Sequence, residues 1–556
     1  MSPSASPLNL EARRAKDVVF GVAYLGLFLI VGGIAVYSYS ASPNGLANLS
    51  KCANSSSVVN GEEGDGEEPN ADHLVSDLVG SADYLIIPLV GSILLGFLWM
   101  ALLRYAAKPV VYATLLLKGF ILIGVGAYLY STTSSASCTL TSGDCGLAYT
   151  PLILIGVGVL YFAMIFCMRN KIQMTAHLIE QSVAVVTAHP GLFLASAGLL
   201  IVKIVVLCFC AGAYVLVFAK TVVVGTGANC SVQVSAADEV MFGVITVFLY
   251  WSIQLWMCMR FYVVSLTTGV WYYQNESLAA QEGEGSLTHA KSVTAAPVCT
   301  GLRLAFTKSF GSIAFASLII AICEWLRRLA RRQQRDGGII GCLVACCINC
   351  ILAYLEFLTR FALTFHALTG DDFCTSGKTF LGHCRRHGWT AIMVDYLAAM
   401  TLQFGAVILG LLITAGTVFL LDNSHHVHTD DKETVLVVAG VASWFVASVI
   451  LIFIAGLLLN VVDAAYACLV LDLDRAAITG TYRQPALAQA VIAKAHPTYV
   501  IQQPGGGTAI AQPVQPYPQS PYSQHQAQPL PPQYVHQAVY QQPPSQNQPR
   551  ALYPDA

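Results

Sequence analysis

A chain of 556 residues that is 55% hydrophobic and only 11% charged has too few charges to cover a globular surface of its size, which excludes water as its main solvent. Its formal net charge of −2 leaves no basic face, and no block of like charge points to a nucleic-acid partner. A mean hydropathy of +0.61 is compatible with one large greasy core, so the arrangement of the apolar residues decides, and they gather into separated runs of bilayer length.

In chain order, runs able to span about 30 Å of hydrocarbon fall at Val18–Tyr37, Tyr84–Leu103, Val110–Tyr130, Leu147–Met168, Leu192–Ala219, Val240–Met259, Ser309–Leu326, Ile339–Leu368, Ala391–Leu421 and Val435–Leu459. Backbone groups in lipid must be satisfied within the segment, so the prediction is an all-α polytopic membrane protein of about ten transmembrane helices. The first run begins too late and is too long for a cleaved signal peptide and is read as a retained helix.

Arg13, Arg14 and Lys16 precede the first run, Arg104 and Lys108 fill the tight connection after the second, and Arg169 and Lys171 follow the fourth, whereas the alternate loops carry Lys51, Lys220 and Lys432. The positive-inside rule therefore puts both termini in the cytoplasm. The expected organisation is a cytoplasmic N-terminus at 1–17, a transporter domain at 18–473 with outer loops at 39–83, 131–146, 220–239 and 422–434, and a cytoplasmic tail at 474–556. The sequons Asn48, Asn54 and Asn229 fall in outer loops and are the expected glycan acceptors, while Asn275 falls inside. Of the 17 cysteines, Cys52, Cys138, Cys145 and Cys230 fall outside and allow two disulfides in three pairings, with Cys138 and Cys145 in one short loop taken as the first pair.

Arg327, Arg328, Arg331, Arg332 and Arg335 resist this scheme. Either both segments around them cross and the arginines violate the charge rule, or the segments form a hairpin that enters without crossing; the rule favours the hairpin and a cytoplasmic cluster. Cys342, Cys346, Cys347 and Cys350 beside them are read as small packing residues of an apolar helix. Beyond about Ala495 the chain turns to Gln, Pro, Tyr, Ser and Gly, a composition that buries no core; the tail is read as solvated and cytoplasmic, with its Pro-rich runs as the alternative, docking sites for cytoplasmic polyproline-reading proteins.

Ionisable and polar residues inside the runs are costly in lipid unless they face a cavity or a partner. The deep ones are Lys118, Lys203, Gln254, Glu324, Glu356, Arg360, Asp395 and Gln403, whereas Arg260, Asp463 and Lys220 lie near ends and are expected to snorkel. The sixth run is aromatic, with Tyr250, Trp251 and Gln254 on one face at helical spacing and Trp256 pointing elsewhere. Aromatic faces hold a quaternary ammonium, which has no N–H to donate, by cation–π attraction. The candidate substrate-binding residues are Tyr250, Trp251, Gln254, Glu356, Asp395 and Tyr396, with Glu356 alternatively paired to Arg360 four residues on. No enzyme signature emerges: His425, His426, His428, Asp430 and Asp431 lack the helical spacing of a zinc site, and no phosphate-cradling loop is present. No catalysis, cofactor or metal is expected.

Several stretches resemble the choline transporter-like family of ten-helix membrane proteins. Phe357-Leu358-Thr359-Arg360-Phe361-Ala362 followed by Phe373-Cys374-Thr375-Ser376-Gly377-Lys378 is similar to that family's FLNRNA and FCTSAK pair. Gly311-Ser312, Val394-Asp395-Tyr396 and Val461-Val462-Asp463 through Cys468 resemble the starts of its seventh and ninth segments and its VVDxxxxC ending. The resemblance implies movement of choline, or ethanolamine, for phospholipid synthesis at the plasma membrane or an internal membrane, by alternating access. The competing expectation is a scaffold that moves nothing and recruits partners through its tail.

Overall fold

The computed structural model describes residues 13–45, 47, 82–133, 150–224, 230–232, 234–280, 296–336, 338–423 and 432–479. Asn48, Asn54, Asn229, Cys52, Cys138, Cys145, the His425–Asp431 cluster and the tail lie outside the described residues, and of Asn275, Cys230 and Cys342 only the backbone is described.

The elements in order are α1 (Val18–Ala41), α2 (Ala82–Thr133), α3 (Thr150–Cys167), α4 (Arg169–Ala188), α5 (Gly191–Thr221), β1 (Val222–Val224), β2 (Cys230–Val232), α6 (Ala236–Ala280), α7 (Pro297–Phe306), α8 (Phe310–Asp336), α9 (Gly338–Thr369), α10 (Phe373–Asp422) and α11 (Lys432–Thr479). Among the described residues nine helices are long and apolar enough to cross a membrane. One of them, α2, is two spans in a single element. Ala106 breaks the helix at φ −133°, ψ 33°, just ahead of Pro109, whose ring clashes with the preceding turn and whose nitrogen donates no hydrogen bond. Its two arms supply the second and third runs, with Arg104 and Lys108 flanking the bend.

The large side chains that face outward are mostly apolar; Leu194, for example, is 79% exposed. In water a surface of that kind would aggregate, and in a bilayer it is the lipid contact. The chain is a multi-pass membrane protein.

Two apolar clusters form inside. The first draws on α2, α4, α10 and α11 through residues such as Leu103, Ile179, Leu402 and Leu458. The second draws on α1, α5, α6 and α8 through Tyr24, Val217, Phe248 and Ile313. Helix α9 belongs to both, because Phe357, Phe361 and Phe365 face the first while Ala362, Leu363 and Ala367 face the second.

Two features escape the hydropathy reading. Helix α4 is amphipathic and too polar to span: Ile172, Ala176, Ile179, Val183 and Val186 recur at helical spacing and are buried in the first cluster. Lys171 of α4 donates to Thr390 Oγ1 at 2.8 Å and Arg104 donates to Thr187 Oγ1 at 2.9 Å, pinning both ends. The loop expected at 220–239 contains an antiparallel hairpin, Val223 opposite Ser231. Its base is closed by Lys220 and Asp238 at 2.9 Å, and Ser235 and Asp238 cap α6 reciprocally.

The helix lengths bear on the arginine cluster. Helices α8 and α9 are both long enough to cross. The start of α8 and the end of α9 both touch the segment ahead of α1, where Asp17 accepts from Ser312 Oγ and Arg13 donates to Ala367 O. The arginines therefore lie at the far end of α8. Arg327 is not a loop cation: it bonds Glu324 at 2.6 Å and Glu356 at 2.9 Å, and the Arg328 guanidinium lies 4.6 Å from the centre of the Tyr250 ring. In the purified protein, Lys16→Cys and Gln333→Cys are expected to label from opposite sides of a sealed vesicle; labelling from the same side would restore the shallow hairpin. Cys346, Cys347 and Cys350 also differ from expectation, facing outward on α9 rather than packing inside.

Candidate functional site

Six charged side chains meet where the two clusters join. Glu324 and Arg327 come from α8, Glu356 and Arg360 from α9, Asp395 from α10 and Asp463 from α11. Helical periodicity explains the placement: Glu324 and Arg327 are three apart and share a face, and Glu356 and Arg360 are four apart and share another. Arg327 bridges Glu324 to Glu356. Arg360 donates to Asp395 Oδ2 at 3.2 Å and stands 3.8 Å from Asp463 Oδ2. Four carboxylates thus share two guanidinium groups, a formal excess of two negative charges inside a bundle.

Glu356, for which a pair with Arg360 is the alternative to a substrate contact, bonds instead to Arg327 on the neighbouring helix. Asp463 is likewise not a snorkelling end residue. Helix α11 runs sixteen residues further, to Thr479, and the Asp463 side chain is 1% exposed. The signal that marks it in the sequence is a lone carboxylate in an otherwise apolar stretch from Val461 to Val470.

Helix α6 carries the aromatic residues toward this network. Trp251 is 6% exposed; its indole N–H donates to Ala314 O at 3.1 Å and Ser317 Oγ at 3.0 Å, and its ring meets Tyr24 edge-on at 5.5 Å. Gln254 follows at three residues and is half-buried, and Cys258 at seven is buried beside Glu356 and Arg360. Tyr250 presents its ring face to Arg328. Tyr396, beside Asp395, is exposed, and the structure does not bring it to the network. Arg260 of α6 reaches along α11, its Nη2 3.5 Å from where a Cβ on Gly456 would sit.

An apolar cavity of about 240 Å³ between α2 and α10 is lined by Trp99, Leu102, Val110, Gly405 and their neighbours. It offers a cation no counter-charge and plays no part in the network.

The end of the bundle near residue 13 is laced shut. Arg13 donates to Tyr262 Oη at 2.9 Å and to the carbonyls of Ala367 and Leu368 at 2.6 and 3.1 Å, capping the C-terminus of α9. Asp17 accepts from Ser312 Oγ at 2.6 Å and from the Phe373 amide at 3.2 Å, at the N-terminus of α10. Asp372, which accepts the Thr375 amide at 2.9 Å, caps that same terminus, and the bond holds its carboxyl below the usual range.

A sequence profile described as plasma-membrane choline transporter matches residues 152–474, more than half of the chain. The chain belongs to the choline transporter-like family. The match takes in every member of the charge network and of the aromatic face on α6. Among relatives, protein PNS1 of Mycosarcoma maydis is 24% identical over 329 residues, which is 58% of this chain and 56% of that one. A CTL-like protein of Dictyostelium discoideum is 21% identical over 437 residues, 72% of this chain and 75% of its own. PNS1 of Gibberella zeae reaches 38% over 112 residues, 19% and 21% of the two chains. The chain thus covers just over half of the Mycosarcoma maydis relative. It is a membrane transporter of the choline transporter-like family.

Proposed function

We propose that this transporter carries choline, or ethanolamine, across the plasma membrane by alternating access, with the substrate held between the two apolar clusters. The observation that carries the reading is the excess of carboxylates over guanidinium groups at the seam of those clusters, with Asp463 buried and the other three carboxylates partly buried. A buried anion without a partner costs several kcal/mol, roughly, so a site with surplus negative charge favours a cationic occupant. The aromatic residues of α6 add surfaces suited to a methylated cation. Carriers of this kind place their sites near the midplane, between halves that rock against each other. A scaffold gains nothing from a charge network at its centre.

Labelled choline uptake into vesicles containing the pure protein, with and without a pH gradient, tests the reading directly; vesicles that take up no more than empty ones would overturn it. Within that assay two neighbouring aromatics are expected to part company. Tyr250 already offers its ring face to a guanidinium, so Tyr250→Ala is expected to remove a contact of about 1–2 kcal/mol and weaken apparent choline affinity by about 5–30-fold. Trp251 is held by two hydrogen bonds, so Trp251→Phe, which keeps an aromatic ring and loses the N–H, is expected to lower thermal stability by about 1–2 kcal/mol and leave affinity within a few-fold. Equal affinity losses in both variants would return Trp251 to the substrate wall.

A further inference from the structure

Within the network the four carboxylates are not equivalent. Glu324 and Glu356 each accept a short hydrogen bond from Arg327, and Asp395 accepts one from Arg360. Among the described residues no N–H or hydroxyl donates to either oxygen of Asp463, although its carboxylate is 1% exposed; its carboxyl neighbour is Asp395. Among the described residues the ion pair it makes is the long one to Arg360, at 3.8 Å, and that guanidinium already gives its hydrogen bond to Asp395. Asp395 stands beside it as a second carboxyl group, close enough for the two to interact directly. Arg260, on the helix packed across from α11, reaches Gly456 two turns earlier and forms no ion pair with Asp463.

A carboxylate left this way suits one kind of partner. A primary ammonium or a guanidinium brings N–H donors and would seek oxygens in hydrogen-bonding geometry. A quaternary ammonium brings only diffuse charge behind methyl groups, and needs a nearby anion whose oxygens are not committed elsewhere. We infer that Asp463 is the counter-charge for the methylated cationic head of the transported substrate, with the Arg360–Asp395 pair behind it as a fixed, internally neutralised support. This rests on the choline reading above and assigns its charge recognition to one side chain. Asp395, one of the candidate substrate-binding residues in the sequence, becomes a positioning residue that keeps Arg360 from neutralising Asp463.

The test compares choline with its neutral carbon isostere, 3,3-dimethylbutan-1-ol, for binding to the full-length protein in nanodiscs. Wild type is expected to prefer choline. Asp463→Asn, which keeps the shape and removes the charge, is expected to weaken choline binding by about 10–100-fold while leaving the isostere unchanged, so that the preference collapses. An Asn variant that binds choline within twofold of wild type would overturn the inference and leave the choline reading standing, since a proton held between Asp395 and Asp463 would then neutralise the pair. If the Asn variant does not purify folded, Asp463→Glu decides: a retained preference for the cation supports the assignment, and a lost preference in folded protein sinks it. Wild-type protein that neither binds nor transports choline would instead overturn the functional reading, and this assignment with it.

Discussion

Arg360→Gln is expected to yield little or no folded protein, with a loss of about 3–5 kcal/mol, the usual cost of removing one partner from a buried charge pair. The guanidinium is the cation shared by Asp395 and Asp463, and removing it leaves two carboxylates side by side in the bundle. The effect belongs to the charge, not to the volume of the side chain, so a compensated variant separates the two. Arg360→Gln combined with Asp395→Asn and Asp463→Asn removes the charges together, and such replacements are commonly neutral for stability. The triple variant is expected to recover most of the thermal stability in a detergent melting assay and none of the choline uptake. A single Arg360→Gln variant as stable as wild type would show that the two carboxylates are not both charged when Arg360 is present.

Much of this architecture was legible in the sequence because the bilayer imposes a simple rule. Every run of apolar residues long enough to span corresponds to a helix, and even the bend in α2 was readable as two runs separated by Arg104 and Lys108. Helix α4 was not readable, since hydropathy asks whether a segment can face lipid and α4 faces protein. The list of buried polar residues anticipated Glu324, Glu356, Arg360 and Asp395, yet the partners were misjudged wherever a local pair competed with one between helices. Glu356 and Arg360 are four apart on α9, the spacing at which a pair forms most readily, but Arg327 on α8 meets Glu356 instead. Asp463 was discounted because its apolar run ends nearby, while burial follows packing, and α11 stays packed beyond that point through Cys468 and Leu469. No periodicity links α8 to α11, so the network appears only when four helices are assembled.

The contact of Gly311 with the segment ahead of α1 predicts the second large effect. Gly311→Ala is expected to destabilise the protein by about 2–4 kcal/mol and to free the segment ahead of α1. A Cβ at Gly311 would sit 2.6 Å from the carbonyl carbon of Asp17 and 2.7 Å from the carbonyl oxygen of Lys16. Both are backbone atoms, so no rotamer relieves the clash and the segment itself has to move. Asp17 already holds φ at 54°, a left-handed conformation that costs a non-glycine residue of order 1 kcal/mol or more and persists only while its surroundings enforce it. Once displaced, Asp17 loses Ser312 and the Phe373 amide, and Arg13 is drawn away from Tyr262 and the end of α9. Gly243→Ala is the control, because nothing lies within 4 Å of the added methyl, and it is expected to match wild type or slightly exceed it. Thermal unfolding measures the loss, and limited proteolysis ahead of Val18 measures the release: Gly311→Ala is expected to be cut faster than both wild type and Gly243→Ala. Equal melting temperatures and equal cleavage rates in the two glycine variants would mean that residues 13–17 do not rest against α8 as described.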